Sequence, residues 1–208
     1  ASSLIFFTTI SGLGFGLAVW VVLGLLDLSN LLNLIAVSVF TFGLIGSGLL
    51  SSTLHLGHPE RAWRALSQWR SSWLSREGVL SVLVLITLSG WFLYSLIYET
   101  PPQWVGFLMI LLILATVYAT AMIYASLKTV LCWYNPLTPF CYLMFAASGG
   151  LLANLFLMSI FGQYTSSSIY YFLSFLILST WFIKFAWWRN LDTDISKSNL
   201  STATGLGS

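Results

Sequence analysis

Charged side chains are scarce in this sequence. Of its 208 residues only 7% are charged, whereas 58% are hydrophobic. A soluble domain carries about 25% charged residues, because they cover its water-facing surface. This composition excludes a water-soluble globule, and the 16% of aromatic residues excludes a disordered chain. The eight basic residues are too few for a broad phosphate-binding surface, which excludes nucleic-acid binding as a main role.

Cysteine and histidine are scarce as well, with two of each. Cys132 and Cys141 cannot build a disulfide framework, and we expect both to be free thiols. His55 and His58 lie in one short segment, so they cannot clamp a haem between facing helices. They also lack the further ligands of a metal site at the expected spacing. The sequence therefore predicts neither a haem nor a metal ion in this chain.

Long apolar runs are what the sequence has in abundance. A hydrocarbon core of about 30 Å is crossed by about 20 helical residues. Six segments have that length: about Leu4–Leu26, Leu31–Leu54, Val79–Tyr98, Trp104–Leu127, Phe140–Phe161 and Ser168–Trp188. They predict an all-α fold, a polytopic transmembrane helical bundle over residues 1–190. A long loop at 55–78 interrupts it, and a polar tail follows at 191–208.

The basic residues lie on one side of the predicted membrane. With six crossings, the N-terminus, the 55–78 loop, the loop after the fourth segment and the tail share a side, which carries every Lys and Arg. The opposite side carries no Lys or Arg, and its charged residues are Asp27 and Glu99. The positive-inside rule therefore predicts that both termini and the long loop are cytoplasmic.

Ionisable residues are almost absent from the interior of the six segments, which argues against a coupled transporter. Asn154 is the main polar side chain deep in a segment, and Lys184 lies near a cytoplasmic end, where it can snorkel. The glycines of segments 1, 2 and 5 resemble a nucleotide-binding loop, but no phosphate reaches the inside of a membrane helix. We interpret them as small residues that let helices approach closely.

The 55–78 loop concentrates arginine, tryptophan and both histidines. One interpretation is an interfacial helix, with arginines on lipid phosphates and tryptophans at the headgroups. The other is a docking surface for a cytoplasmic partner, beside a pocket at the membrane boundary. In the second case His55, at the end of segment 2, and Glu77, at the start of segment 3, could exchange protons with a quinone. Ser75 would then cap segment 3.

The 55–78 loop also carries a distinctive motif. The run from Leu54 to Leu66 reads LHLGHPERAWRAL, and WLSRE follows at 73–77. These runs resemble those of the DMSO reductase membrane-anchor family. A second block, AMIYASLK at 121–128 with Trp133, PLT at 136–138 and SGG at 148–150, is similar to anchors of the cytoplasmic sulfite-oxidising branch. The closing TATGLG at 202–207 also resembles that branch. The loop motif is specific, whereas the rest is ordinary membrane helix.

The resemblance implies a membrane anchor that holds an iron–sulfur subunit and a molybdopterin catalytic subunit on its cytoplasmic face. Such anchors exchange electrons with ubiquinone or menaquinone, carry no haem, and lie in the bacterial inner membrane. Molybdopterin and iron–sulfur clusters would belong to the partner subunits only. Family members typically have eight helices, so we expect two more to follow Ser208.

The resemblance also implies site residues. By motif position, His55 and Glu77 match the histidine and glutamate linked to quinol binding, at a quinone site among segments 2, 3 and 4. We add Arg61, Arg64, Tyr124 and Lys128 as further quinone-binding candidates. For partner docking we add those basic and tryptophan residues that remain in or near the loop: Trp63, Trp69, Arg70, Trp73 and Arg76.

The most direct functional expectation is electron transfer between an iron–sulfur subunit and quinone during sulfite oxidation. Reduction of DMSO or a related substrate by quinol would use the same architecture. A passive anchor without its own quinone site is the alternative, with the loop acting purely as an interface. A transporter would need a polar path through the bundle, which the sequence does not show.

Overall fold

The described part of the chain is entirely helical. The computed structural model describes residues 2–53, 66–98, 101–130 and 132–197. Six helices in these ranges are long and apolar enough to cross a membrane, which confirms the predicted number. They are α1 Ser2–Val22, α2 Leu31–Thr53, α3 Trp73–Tyr98, α4 Gln103–Ala125, α5 Thr138–Ile160 and α6 Ser167–Lys197. A short 3₁₀ helix, Leu66–Gln68, precedes α3.

Helix α1 ends four residues before the predicted Leu26, because a glycine closes it. Gly24 has a φ of 76°, the left-handed conformation that glycine adopts without steric cost. Its N–H donates to the Val21 carbonyl, and the Leu25 N–H donates to the Trp20 carbonyl. This pair of bonds is a Schellman motif, which ends a helix even where the following residues are apolar.

Two other helices are longer than predicted. Helix α3 begins at Trp73 rather than Val79, because the Ser72 hydroxyl accepts a hydrogen bond from the Ser75 N–H and caps the first turn. Helix α6 continues from the predicted end at Trp188 to Lys197. The apolar length of a segment is set by the thickness of the bilayer. Helical backbone hydrogen bonding can continue beyond it into polar residues, so a helix can be longer than its apolar segment.

Helix α1 lies at the centre of the bundle. It packs against α2, α4 and α5, while α3 pairs with α4 and α6 packs on α5. The interpretation of the glycines is correct at the helix crossings. A Cβ on Gly16 would overlap the Ala146 carbonyl, and one on Gly150 would overlap the Gly16 backbone. In contrast, Gly12, Gly43 and Gly46 face open space.

The two ends of the bundle differ in charge, as the chain order requires. Because the helices alternate in direction, the end of α4, the start of α5 and the end of α6 lie at the same end as the loop before α3. Where the structure describes side chains, the basic ones are at this end: Arg70, Arg76, Lys128, Lys184 and Arg189. We call it the basic end. The turns at 23–30 and 161–166 lie at the opposite end.

Candidate functional site

Glu77 is a carboxyl group buried at the basic end. Its side chain is 4% exposed, and the Ser81 hydroxyl one turn later donates a 3.2 Å hydrogen bond to its Oε1 atom. The expectation that Glu77 opens its helix is wrong, because α3 begins at Trp73 and is capped by Ser72 rather than Ser75. Glu77 therefore lies one turn inside α3, facing the bundle.

Two tyrosines continue from this carboxyl group across the bundle. Tyr124 on α4 lies within electrostatic range of Glu77 and stacks on Tyr142 of α5, with ring centroids 5.8 Å apart and an interplanar angle of 22°. The Tyr142 hydroxyl lies close to the Thr8 hydroxyl of α1. We call these four residues, Glu77, Tyr124, Tyr142 and Thr8, the tyrosine row. It brings together residues of four helices.

A cavity of about 410 Å³ adjoins the far end of the tyrosine row. Residues of α1, α4 and α5 line it, and most of its wall is apolar. The polar side chains among its described lining residues are hydroxyls, those of Thr8, Thr9, Ser11, Thr120 and Tyr142. Cavities of this size and character hold small organic ligands in proteins.

The turn before α5 fixes the position of Tyr142. The Asn135 side chain accepts a hydrogen bond from the Leu137 N–H at 2.9 Å, and the Thr138 hydroxyl donates to the Trp133 carbonyl at 3.0 Å. The Trp187 indole N–H of α6 donates to the same Thr138 hydroxyl at 3.0 Å. Trp133 also meets Tyr124 edge to face, with centroids 5.3 Å apart. The turn therefore holds both tyrosines in place.

The described part of the 55–78 loop is tied to itself and to α3. The Arg76 guanidinium donates to the main-chain carbonyls of Trp69 at 3.0 Å and Arg70 at 2.8 Å, and it lies 4.3 Å from the Trp73 ring centroid. Trp73 in turn meets Tyr118 of α4 edge to face. Trp69 and Arg70 remain exposed at the surface, so they are the docking candidates that a partner could reach.

The predicted site residues are thus only partly brought together. Glu77 and Tyr124 are neighbours, whereas Lys128 is exposed in the turn after α4. His55, Arg61, Arg64 and Trp63 lie outside the described residues. Tyr142 and Thr8 were missed because one tyrosine and one threonine inside apolar segments carry no motif. A phenol within the membrane-spanning part of a segment was the signal that could have singled out Tyr142.

A second cavity, of about 1080 Å³, lies at the opposite end. There the Gln163 side chain donates to the Asp27 carbonyl at 2.8 Å and accepts from the Asp27 N–H at 2.9 Å, which joins two turns. The Ser29 N–H donates to the Asp27 carboxylate and holds the pKa of that carboxyl below its ordinary value. Asp27 is therefore ionised near neutral pH, and its carboxylate stabilises the turn.

Fold and site together define a polytopic helical membrane protein with a buried carboxyl group and a hydroxyl-lined cavity near its basic end. Sequence comparison agrees with that class and narrows it. The family model of the DMSO reductase anchor subunit (DmsC) matches residues 1–196. The chain therefore belongs to the DMSO reductase anchor subunit family.

Two relatives illustrate the breadth of the family. The C subunit of sulfite dehydrogenase from Allochromatium vinosum is 34% identical over 172 residues, which make up 73% of this chain and 53% of that relative. The C component of anaerobic dimethyl sulfoxide reductase from Escherichia coli is 32% identical over 122 residues, 57% of this chain and 42% of that relative. The chain thus spans about half the length of these relatives. No solved structure matches it significantly.

Proposed function

We propose that this protein is the membrane anchor of a molybdopterin oxidoreductase complex, and that it passes electrons between an iron–sulfur subunit and the quinone pool. Membership of the anchor family supports the anchoring role. The single observation that carries the quinone role is Glu77, a carboxyl group buried near one end of the bundle with tyrosines beside it. Ionisable groups inside membrane proteins are costly and are commonly kept for function.

The chemistry of a quinone explains why such a carboxyl group is useful. Reduction of a quinone to a quinol takes up two electrons and two protons, and oxidation returns both. The electrons would come from, or go to, an iron–sulfur cluster of the partner subunit. A carboxyl group near the quinone ring can pass protons between the ring and the aqueous phase. In this proposal Glu77 and His55 transfer the protons. Further candidates for binding the quinone are Arg61, Arg64, Tyr124 and Lys128.

We infer the side of the membrane from charge placement. The basic end would face the cytoplasm by the positive-inside rule, with both termini on that side and the protein in a bacterial inner membrane. The iron–sulfur and catalytic subunits would then dock there, on Trp63, Trp69, Arg70, Trp73 and Arg76. Of these, Trp69 and Arg70 offer the exposed surface, whereas Arg76 and Trp73 support it from below.

The similarity to a sulfite dehydrogenase component favours sulfite oxidation as the reaction of the complex. Quinol-driven reduction of DMSO is the second candidate, because the other relative is part of a DMSO reductase. In both cases the substrate would be converted on the catalytic subunit. The anchor itself would bind quinone and transfer electrons, without contacting the substrate.

The test separates the quinone step from the rest of the complex. Membranes containing the whole complex are assayed for sulfite oxidation twice, with a short-chain quinone and with ferricyanide as electron acceptor. We expect Glu77→Gln to lower the quinone-linked rate by about 100-fold, the lower range for loss of a proton-transfer group. The rate with ferricyanide should be unchanged, because that acceptor takes electrons from the iron–sulfur subunit.

Thr116→Val is the matched control, since it removes a buried hydroxyl on α4 away from the tyrosine row. It should leave both rates unchanged. Equal quinone-linked rates for Glu77→Gln and the unchanged protein would reject the role of Glu77. A wild-type complex that binds no quinone would reject the whole proposal in favour of a passive anchor.

A further inference from the structure

We propose that the quinone ring binds in the cavity between α1, α4 and α5, with the Tyr142 hydroxyl as its hydrogen-bond donor. This inference rests on the proposed function and moves the ring away from the expected position among the second, third and fourth helices. The cavity adjoins the tyrosine row, and the described residues that line it belong to α1, α4 and α5, with Thr8 and Tyr142 among them.

The cavity has the size and wall that a quinone requires. Its volume of about 410 Å³ lies within the range of about 300–1,000 Å³ typical of small-ligand sites. Apolar side chains such as Phe15, Val117 and Phe145 provide flat and branched surfaces for a ring. A ring with two carbonyl groups needs few polar contacts, and the hydroxyls of the wall provide them.

Tyr142 differs from the other hydroxyl residues of the cavity in the hydrogen bonds that those hydroxyls already make. The hydroxyls of Thr8, Thr9, Ser11 and Thr120 each donate to a main-chain carbonyl one turn earlier in their own helix. Their oxygens can accept hydrogen bonds, but their protons are already used. The Tyr142 hydroxyl lies beside the Thr8 hydroxyl, whose own proton goes to the Leu4 carbonyl. Among the described cavity residues, the Tyr142 phenol is therefore the group that can turn its proton from the Thr8 oxygen to a quinone carbonyl.

The tyrosine row connects this position to the buried carboxyl group. Tyr142 stacks on Tyr124, and Tyr124 lies within electrostatic range of Glu77. A ring hydrogen-bonded to Tyr142 would therefore feel the charge of Glu77 through one intervening aromatic side chain. This explains how Glu77 can act on a ligand that lies one aromatic side chain away from it.

The cavity is also open on the side that a lipid-soluble ligand would use. Thr9 and Phe145, which lie on its rim, are exposed at the outer surface of the bundle. In a bilayer that surface faces acyl chains, so an isoprenoid tail can pass between α1 and α5 into lipid. The ring would enter sideways from the membrane.

A space-filling substitution tests the site without disturbing the packing. A Cβ on Gly12 meets no atom within 4 Å, and Gly12 lines the cavity, so Gly12→Leu fills it. Gly90→Leu on α3 is the matched control, because Gly90 also faces open space but lies outside both cavities. The probe is 2-heptyl-4-hydroxyquinoline N-oxide, a quinone-site ligand whose fluorescence is quenched on binding, titrated against membranes holding the whole complex.

We expect Gly12→Leu to raise the Kd of the probe by about tenfold or more, and Gly90→Leu to leave it within about twofold. Tyr142→Phe, which keeps the ring stack but loses the hydroxyl, should raise the Kd by about three- to tenfold, the value of one hydrogen bond. Its quinone-linked KM should rise with it, and ferricyanide activity should not change.

The outcomes separate the two proposals. Tight probe binding that survives Gly12→Leu and Tyr142→Phe but is lost in Glu77→Gln would overturn the cavity assignment and keep the quinone function. In that case the cavity holds only a lipid acyl chain. A wild-type complex that quenches no probe and turns over no quinone would overturn the proposed function itself.

Discussion

Asn154 is the polar side chain that fits least well in the described core. It is fully buried on α5, and among the described residues neither its amide oxygen nor its amide nitrogen has a hydrogen-bond partner. Burying such a group without partners costs about 1–3 kcal/mol. Leucine has a similar volume and no polar atoms.

We therefore expect Asn154→Leu to stabilise the purified protein by about 1–3 kcal/mol. The measurement is the free energy of unfolding by sodium dodecyl sulfate titration in mixed micelles, followed by tryptophan fluorescence. Thr87→Val is the control, because the Thr87 hydroxyl is already satisfied by the Leu83 carbonyl at 2.8 Å. A loss of stability in Asn154→Leu would mean that Asn154 has a partner, such as a buried water.

Single residues of the site were predictable where their position in a segment or a surrounding motif marked them. Glu77 was singled out by its place near the start of the third segment and then by WLSRE, which resembles a family motif, and Tyr124 by its place in AMIYASLK. Tyr142 and Thr8 come together from helices that are distant in sequence, and nothing in their local sequence marks them. Their proximity is a result of helix packing.

At the scale of elements, the crossing of α1 and α5 is the closest contact in the described bundle. Backbone meets backbone at Gly16 and Gly150, so no side chain fits between them. The Trp20 indole N–H adds a 2.8 Å hydrogen bond to the Ala147 carbonyl. In lipid, where side chains gain little by leaving an apolar solvent, such close packing is the main attraction between helices.

We expect Gly16→Ala to destabilise the protein by about 1–3 kcal/mol, the usual cost of overpacking a core. Gly43→Ala on α2 is the matched control, because a Cβ there meets open space. It should raise stability by about 0.5–1 kcal/mol, since alanine favours a helix over glycine. Unfolding titrations of both variants supply the test, and equal effects would show that the crossing is looser than described.

The ends of the helices were less predictable than their existence. Apolar length located all six spans, but it could not detect the Schellman motif at Gly24 or the cap at Ser72. Both depend on a few backbone hydrogen bonds. As a result α1 was predicted too long, α3 was predicted too short, and Glu77 was placed at a helix end when it is one turn inside.

At the scale of the whole molecule, the arrangement of the helices could not be predicted from the sequence. Every helix is apolar around most of its circumference, because side chains that face lipid are as hydrophobic as those that face other helices. Large apolar residues of α6, such as Tyr171, Leu178 and Phe182, are at least 70% exposed. Periodicity therefore could not show which faces meet, and the central position of α1 had to come from the structure.

The proposed orientation is testable with cysteine labelling in intact cells. In a background with Cys132→Ser and Cys141→Ser, one reporter is Lys128→Cys at the basic end and the other is Tyr164→Cys at the opposite end. Both positions are exposed. A membrane-impermeant maleimide should label the Tyr164→Cys protein in intact cells, and the Lys128→Cys protein only after permeabilisation. The reverse pattern would place the basic end, and any docked subunits, outside the cytoplasm.

The crossing of α1 and α5 also constrains how the protein is made. Trp20 and its partner Ala147 are separated by 127 positions in the chain. During synthesis α1 therefore leaves the ribosome long before α5 exists, and in the meantime it can pair with α2 and later with α4. The α1–α2 hairpin must wait in the membrane, with Gly16 uncovered, until α5 is inserted beside it. Insertion of α5, rather than early hairpin insertion, would then set the time at which the bundle becomes complete.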